Sequence, residues 1–287
     1  MNYRHGYHAG NFADVLKHAA LALVIEHLKR KEAPFRIIDT HAGAGLYDLS
    51  SEQAQKTGEW RAGIGRLLGP DARPVSDARA AHALEPYLNA VKAENPGRRF
   101  VRYPGSPRVA RRLMRAQDRL VLNELHPEEA ARLEQLFARD PQTKVLRLDG
   151  WVALKSLLPP KERRGAVLVD PPFEERDELD RLALGLREAT RRFATGVFLL
   201  WYPIKDVAAR QAFEASMRAQ QQRMLVAELM IRAPMNAADL NGCGLIIVNP
   251  PYTLAEQLDS LLPELAQHLA QSPGGGFRLE RVDAARS

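Results

Sequence analysis

The sequence is short of cysteine and of long apolar runs. Cys243 is the only cysteine among the 287 residues, which excludes an internal disulfide and a cysteine-rich zinc site. No run of about 18 apolar residues occurs and no charged-then-apolar leader opens the chain, so we expect neither a membrane span nor secretion. A lone cysteine suits a reducing compartment, and the expected location is the cytoplasm.

Neither acidic excess nor a complete nucleotide-binding fingerprint is present. The net charge is +6 and the pI is about 9.5, which is compatible with a polyanionic partner without demonstrating one. In D-T-H-A-G-A-G (39–45), His41 stands where the first of three glycines is usual. A strand that ends at Asp39 and runs into Gly43 and Gly45 still predicts the first unit of a nucleotide-binding α/β sheet, because glycine lets a ligand approach the backbone.

The order of the apolar segments predicts one open, mostly parallel sheet covered by helices on both faces. Helices separate the first five of seven expected strands, which are 35–39, 119–124, 144–148, 166–169, 197–201, 224–231 and 245–248. A polar, glycine-containing connection joins the last two and suits antiparallel neighbours. We interpret 48–98 as an inserted helical subdomain, because no strand interrupts it. The segment after Pro273 is expected to be a loosely held tail.

Acidic side chains close the first four predicted strands. They are Asp39, Glu124, Asp149 and Asp170. Since ligands of open α/β sheets bind at the carboxyl ends of the strands, these carboxylates should converge on one site. They suit a ligand that has ribose hydroxyls, an adenine amine and a positive centre.

The first expected helix follows Asn11, a good N-cap, and carries polar residues at its start. Asp14, Lys17 and His18 lie three and four positions apart, on one side of the helix. They either form a solvated first turn or line a cleft with the N-terminal tail (1–10). In the second interpretation Lys17 and His18 face a ligand.

The stretch V-L-V-D-P-P-F-E (167–174) ends the fourth predicted strand. The Asp170 carboxylate and nearby carbonyl oxygens are hydrogen-bond acceptors, and Pro171 and Pro172 restrict the backbone around them. Beside the ring of Phe173, such an arc of acceptors would hold a planar group that carries an NH2, such as adenine. The alternative is a strand that ends in a Pro-Pro turn, with Phe173 in the core.

A second stretch, N-P-P-Y (249–252), competes for the same interpretation. In a doubly wound sheet the carboxyl end of the fourth strand lies beside the glycine turn of the first. Asn249 instead follows a strand predicted to run antiparallel, whose end points away. We therefore expect Asp170 in the site and Asn249 outside it.

Motifs of one kind extend over nearly the whole chain. They are Y-R-H-G-Y-H-A-G-N-F-A-D-V-L-K-H (3–18), D-T-H-A-G-A-G (39–45), Y-P-G-S-P (103–107), D-P-P-F (170–173) and L-W-Y-P (200–203). Together they resemble the class I S-adenosylmethionine-dependent methyltransferases, and more narrowly the ribosomal RNA large subunit methyltransferase J family. The resemblance implies a single Rossmann-like domain (1–287) that methylates N6 of an adenine in 23S rRNA with S-adenosylmethionine. We expect no metal and a monomer.

The resemblance also implies roles for individual residues. Catalysis would involve Asp170, Pro171, Pro172 and Phe173, where the family usually has tyrosine at the last position. Substrate RNA would be handled by Tyr3, His5 and Lys17. Methyl-donor contacts are implied for His18, His41, Ser106, Glu124, Asp149, Gly150 and Asp170, to which the strand-end and glycine pattern adds Asp39, Gly43 and Gly45.

Two predicted helices carry groups of arginines. The groups are Arg108, Arg111, Arg112 and Arg115, and Arg187, Arg191 and Arg192. Each alone is typical of a solvated face. With an RNA substrate implied, we expect phosphate contact by at least one of them, and by Arg61 and Arg66 in the 48–98 segment. Trp151 and Trp201 are expected in the core.

Two further classes of function share parts of this pattern. A DNA adenine or protein glutamine methyltransferase would use the same acceptors on an amino or amide nitrogen. An RNA-binding assembly factor that has lost catalysis would keep the fold, although the intact acids and glycine turn argue against it.

Overall fold

The computed structural model describes residues 4–70, 72–97 and 99–284. A 3₁₀ helix at His5–Tyr7 precedes the first α-helix. The strands are β1 (Arg36–Asp39), β2 (Leu46–Asp48), β3 (Arg102–Pro104), β4 (Arg119–Asn123), β5 (Thr143–Leu146), β6 (Gly165–Val169), β7 (Val197–Ile204), β8 (Met224–Met230), β9 (Gly242–Val248) and β10 (Gly276–Val282). The helices are α1 (Phe12–Lys29), α2 (Glu52–Thr57), α3 (Glu59–Ala62), α4 (Gly65–Leu68), α5 (Ala78–Ala93), α6 (Ser106–Leu113), α7 (Pro127–Phe137), α8 (Gly150–Ser156), α9 (Glu178–Arg192), α10 (Val207–Arg218) and α11 (Leu254–Leu269).

The main sheet has the order β5-β4-β1-β6-β7-β9-β8-β10. The first five strands in this order are parallel, whereas β9 runs antiparallel to both β7 and β8. Successive strand residues point to opposite faces, so Ile37 packs into the core under α1 and Ile38 into the core under α9. The predicted α/β fold with a mostly parallel sheet and an antiparallel end is confirmed.

The prediction of seven strands and a loose tail after Pro273 is wrong. β10 pairs with β8 along its whole length, from Gly276 opposite Met230 to Val282 opposite Met224, and adds an eighth strand to the sheet. The glycines form the turn into this strand, with Gly274 at φ 84°. β10 lies at the edge, and its partly exposed residues alternate too weakly in hydrophobicity to predict a strand from sequence.

Helix α1 is buried almost throughout, including its polar first turn. The side chain of Asn11 accepts hydrogen bonds from the backbone N–H groups of Ala13 and Asp14, which confirms the predicted N-cap. Asp14, Lys17 and His18 are all buried. The interpretation of this turn as a solvated face is therefore wrong, and its charges must be satisfied within the protein.

The segment 48–98 contains helices α2 to α5. It leaves and rejoins the sheet domain through β2 and β3, which pair antiparallel in a separate two-stranded ribbon. Helix α5 packs against α1 and α11. The division of the chain at 48 and 98 stays a prediction. In the part of the chain that the structure describes, no helix has both the length and the apolar character needed to cross a membrane.

Candidate active site

A cavity lies at the carboxyl ends of β1, β4 and β6, where the acidic strand ends were expected to meet. We call it the sheet-edge cavity. Its lining comes from the turn after β1, the residues after β4 and β6, the start of α6, the first turns of α1 and the N-terminal tail. The lining residues are His5, Lys17, His18, His41, Ala42, Gly43, Tyr47, Gly105, Ser106, Glu124, His126, Glu129, Asp170 and Pro172.

Four of the residues predicted to contact the methyl donor lie beside this cavity and do not line it. Asp39 accepts a hydrogen bond from Ser106 Oγ at 2.7 Å, and the Gly45 carbonyl accepts one from Gly105 N at 3.0 Å. Asp149 caps α8, and Gly150 lies so close to His41 that a Cβ there would be 2.2 Å from its Nε2. These residues therefore hold the lining in place. The predicted contact at Tyr3 falls outside the described residues.

Lys17 joins two carboxylates at the centre of the site. Its Nζ lies 2.9 Å from Asp14 Oδ1 and forms a second, very short ion pair with Asp170 Oδ2. Burial alone would lower the pKa of Lys17, but the two carboxylates outweigh it and raise that pKa. Burial would likewise raise the pKa of Asp14, yet His5 and Lys17 hold it well below its usual range. Lys17 is thus a buried, permanent cation.

The Asp14 carboxylate also fixes the tail. Asp14 Oδ2 lies 2.9 Å from His5 Nε2 and accepts a hydrogen bond of the same length from Gly10 N. A continuous chain of polar contacts therefore runs from His5 through Asp14 and Lys17 to Asp170. Sequence spacing indicated the cluster on α1, but only the structure shows that it reaches the end of β6.

Two histidines of the sheet-edge cavity are kept neutral. Burial lowers the pKa of His18 to about 3 and that of His41 to about 4. Their Nδ1 atoms lie 2.8 Å from Tyr103 Oη and 2.9 Å from Thr40 Oγ1, respectively. At neutral pH these imidazoles add hydrogen-bonding atoms to the cavity without adding positive charge.

The glycine turn after β1 presents backbone to Glu124. Gly43 N donates to Glu124 Oε2 at 2.7 Å, and His126 N donates to Oε1 at 2.8 Å. Gly43 adopts φ 60°, and a Cβ there would meet the Tyr47 hydroxyl at 2.2 Å. Glycine is therefore required at this position both by its backbone conformation and by the space available.

Sequence reasoning missed several polar residues of the cavity, among them His126 and Glu129. Among the described side chains, His126 Nδ1, Glu129 Oε2 and His18 Nε2 are buried and have no hydrogen-bond partner. All three belong to residues that line the same cavity. Buried polar atoms are normally paired, so this concentration indicates a place for a polar ligand.

A second cavity adjoins the first on the other side of Asp170. We call it the aromatic cavity, and its lining residues are His5, His8, Asn11, Ala13, Asp14, Lys17, Asp170, Pro171, Pro172, Phe173, Trp201, Pro203, Lys205 and Leu240. Phe173 and Trp201 are arranged edge to face, with ring centroids 5.5 Å apart. Trp201 packs against the core, as expected, and also lines this cavity. Phe173 has φ 51°, a strained conformation for an aromatic residue.

The competing N-P-P-Y stretch lies at the opposite end of the strands from Asp170, as expected. β9 is antiparallel to β7, and its end at Val248 pairs with Phe198 near the start of β7. The Asn249 side chain donates to the carbonyls of Ala194 and Gly196, and Tyr252 is 76% exposed. Because β6 and β9 run in opposite directions, the similar sequences D-P-P-F and N-P-P-Y lie at opposite ends of the sheet.

The arginines of α6, and Arg115 two residues beyond its end, are engaged in ion pairs. Arg108 and Arg112 contact Glu94, Arg111 contacts Asp140, and Arg115 contacts Asp118. In the 48–98 segment, Arg66 donates to the carbonyls of His268 and Ala270. These side chains hold neighbouring elements together. Arg187, Arg191 and Arg192 are exposed on α9, and phosphate contact by them stays a prediction.

The described ranges contain no group of three or more His, Cys, Asp or Glu side chains arranged to hold a metal ion.

Comparison with known proteins gives consistent results. Residues 32–282 match the family model described as Ribosomal RNA large subunit methyltransferase D, RlmJ. The Ribosomal RNA large subunit methyltransferase J of Escherichia coli is 40% identical over 96% of this chain and 96% of its own, and that of Haemophilus influenzae is 39% identical over 98% and 99%. A Legionella pneumophila crystal structure superimposes with TM-score 0.85 at 32% identity, covering 97% of this chain and 99% of that one. The chain belongs to the ribosomal RNA large subunit methyltransferase J family.

Proposed function

We propose that this protein transfers a methyl group from S-adenosylmethionine to the N6 amine of an adenine in 23S rRNA. The observation that carries the proposal is the meeting of two cavities at one carboxylate. The sheet-edge cavity and the aromatic cavity share His5, Lys17, Asp170 and Pro172. One cavity for the methyl donor and one for the acceptor base, joined at Asp170, is the arrangement that direct transfer requires.

The sheet-edge cavity suits the methyl donor. Glu124 already accepts two backbone hydrogen bonds, but each carboxylate oxygen has a further lone pair for a ribose hydroxyl. The unpaired atoms of His18, His126 and Glu129 offer partners to the polar groups of the donor. When bound, S-adenosylmethionine supplies an electrophilic methyl group on a sulfonium.

The charge of the cavity suits a sulfonium as well. Glu124, Glu129 and Asp170 contribute carboxylates to the described lining, and Lys17 contributes an ammonium. The neutral state of His18 and His41 leaves this negative balance intact. An opposite charge close to the ligand stabilises it in a partly buried site.

The aromatic cavity suits an adenine taken out of the RNA stack. Phe173 and Trp201 offer apolar ring surfaces, and an extruded base is commonly held against such surfaces. The phenyl ring of Phe173 supplies stacking without the hydroxyl of the usual tyrosine. The adjoining acceptors, the Asp170 carboxylate and the Pro171 carbonyl, then receive the two N–H groups of the amine.

Asp170 activates the amine. The nitrogen lone pair of adenine is delocalised into the ring, and acceptors on both N–H groups favour the pyramidal nitrogen that attacks the methyl carbon. As the N–C bond forms, the bond between the methyl carbon and the sulfonium sulfur would break and leave a neutral thioether, and the nitrogen would lose one proton, which Asp170 would accept. Lys17 engages Asp170 Oδ2, which leaves Oδ1 for the amine. Lys17 therefore orients the carboxylate that does the chemistry.

Among the residues that line the aromatic cavity, Lys205 is the best suited to contact RNA. It is exposed at the mouth of the cavity, directly after β7, and its ammonium forms no ion pair with the described residues. A base inserted into the cavity would bring its own phosphate to this mouth. An rRNA substrate supports a cytoplasmic location.

The test is methylation with labelled donor of protein-free 23S rRNA, ribosomal subunits, DNA and protein, each separately. We expect label on N6 of an adenine in protein-free 23S rRNA. Asp170→Asn, which keeps shape and removes the charge, should abolish labelling, whereas Asn249→Ala at the opposite sheet edge should retain it. Label on DNA or protein would contradict the proposal, and RNA binding without label would indicate an inactive assembly factor.

A further inference from the structure

We propose that Glu59, on α3 in the 48–98 segment, is a positioning residue for methyl transfer. Its carboxylate contacts His8 in the N-terminal tail and Asn11, the N-cap of α1, and we call these contacts the clasp. The clasp fixes the start of the chain of polar contacts that ends at Asp170. The inference rests on the proposed function, because it concerns the orientation of Asp170. It assigns to the 48–98 segment a task in catalysis that does not require contact with RNA.

Glu59 contacts two residues outside the 48–98 segment, His8 and Asn11. Its carboxylate lies 2.9 Å and 3.1 Å, through Oε1 and Oε2, from His8 Nδ1 in the tail. Oε2 also accepts a hydrogen bond of 3.0 Å from Asn11 Nδ2. This second contact orients the amide of Asn11, because with Nδ2 directed to Glu59 the amide oxygen faces the N–H groups at the start of α1.

The backbones of the two segments also touch. Ile64 N donates to the Gly10 carbonyl at 2.8 Å, and Thr57 Oγ1 donates to the Tyr7 carbonyl. A Cβ on Gly63 would lie 2.1 Å from the Gly10 oxygen, so a side chain cannot fit between them. The tail is thus gripped from Tyr7 to Asn11 by residues on either side of Glu59.

The grip extends to the reacting carboxylate through α1. Gly10 N, between His8 and Asn11, and His5 Nε2, before them, each lie 2.9 Å from Asp14 Oδ2. Asp14 Oδ1 holds Lys17 at 2.9 Å, and Lys17 holds Asp170. A shift of the tail or of the first turn of α1 therefore moves the ammonium that orients Asp170.

Glu59 itself lines neither the sheet-edge cavity nor the aromatic cavity. Its loss removes no ligand contact, so its effect on the reaction must pass through the tail and α1. Misplacement of a catalytic group by about 1 Å costs about a hundredfold in rate. The effect should therefore appear in kcat.

The first test compares Glu59→Ala with Glu85→Ala, an exposed glutamate on α5 whose ion pair is with His82. We expect Glu59→Ala to lower kcat on 23S rRNA by about ten- to a hundredfold relative to the control, at a temperature at which both variants remain folded. Glu59→Gln keeps an acceptor for Asn11 and loses the ionic contact to His8, so it should restore part of kcat. Unchanged kcat in Glu59→Ala would overturn the proposal.

The second test needs no activity. Hydrogen exchange of the amides from Tyr7 to Asp14 should be faster in Glu59→Ala than in wild type or Glu85→Ala. A lowered kcat with unchanged exchange would also overturn the proposal, because the effect would not pass through the tail. If wild-type protein methylates no RNA, the proposed function fails, and exchange still decides whether the clasp exists. If Glu59→Ala does not fold, Glu59→Gln is measured in its place.

Discussion

The side chain of Lys17 is 6% exposed and carries a full charge between two carboxylates that are themselves largely buried. An ammonium in such a place is retained only because Asp14 and Asp170 stabilise it more than burial penalises it. His5 and Lys17 together hold the pKa of Asp14 well below its usual range, although burial opposes this. Lys17 is thus the residue that joins Asp14 on α1 to Asp170 after β6 in the interior.

Replacement of Lys17 should therefore be costly for stability. We expect Lys17→Met to lower the free energy of unfolding by about 3–5 kcal/mol, because it leaves two buried carboxylates without their cation. The control is Lys29→Met, which breaks a half-exposed pair with Glu26 and should cost less than about 1 kcal/mol. Urea unfolding at pH 7 measures both. Equal costs would mean that the buried pairs contribute nothing beyond surface pairs.

Lys205 should act on RNA binding without affecting the fold. We expect Lys205→Met to weaken kcat/KM on 23S rRNA and to reduce the slope of log kcat/KM against log salt concentration by about 1, because one phosphate contact is lost. Lys161→Met, an exposed lysine before β6, is the matched control and should leave the slope unchanged. A slope that is the same in both variants would remove Lys205 from the RNA interface.

Among the elements, the tail and α3 form a contact that depends on pH. The hydrogen bond that His8 donates to the Glu59 carboxylate raises the pKa of His8 above its ordinary value of 6.5, although burial opposes this. For Glu59, burial would raise the pKa, but the hydrogen bond with His8 lowers it below 4.5. His8 also faces Asp14, which favours its charged form, and Lys205, which opposes it. The contact between charged His8 and charged Glu59 is therefore favoured between pH 4.5 and pH 6.5, the ordinary pKa values of the two groups.

The sign of the pH dependence follows from these directions. His8 contributes stability that is fully present below pH 6.5 and is lost as the pH rises through its folded pKa. Glu59 contributes stability that is present above pH 4.5 and is lost as the pH falls through its folded pKa. We expect the stability difference between wild type and His8→Gln, measured by urea unfolding, to shrink as the pH rises from 6 to about 9. A constant difference would show that the contact is not ionic.

Several elements could be predicted because their signals are local. Asn11 was identified as an N-cap from its position before an apolar helix, and β4 begins at the predicted Arg119. The ribbon of β2 and β3 was missed, since three residues per strand give no usable alternation. The arginines of α6 were assigned to a solvated or phosphate-binding face, because their carboxylate partners lie on other elements.

At the scale of the whole molecule, β10 completes the sheet and neutralises buried acids. Arg278 on this strand lies 2.8 Å from Glu228 and also pairs with Glu214, and both glutamates are buried. The edge strand thus covers β8 and supplies a cation that the interior of the sheet needs. Its contribution extends beyond its backbone hydrogen bonds.

Loss of that cation should be measurable. We expect Arg278→Ala to lower the free energy of unfolding by about 1–3 kcal/mol, because Glu214 and Glu228 are left with fewer partners. Arg281→Ala, an exposed residue on the same strand, should change it by no more than about 0.5 kcal/mol. Urea unfolding of the two variants measures both changes in the free energy of unfolding. Similar values would mean that β10 contributes through its backbone alone.

The sequence by itself determined the mostly parallel α/β fold, the acids at the ends of the parallel strands, and the position of Asp170 and Asn249 at opposite ends of the strands. These follow from periodicity, caps and strand direction, which act between near neighbours. Only the tertiary structure decided that Lys17 pairs with Asp170 across 153 positions of the chain, that Trp201 faces a cavity, and that the α6 arginines are engaged. The reason is physical: which charges meet, and which polar atoms are left unpaired for a ligand, depends on distances that packing alone sets.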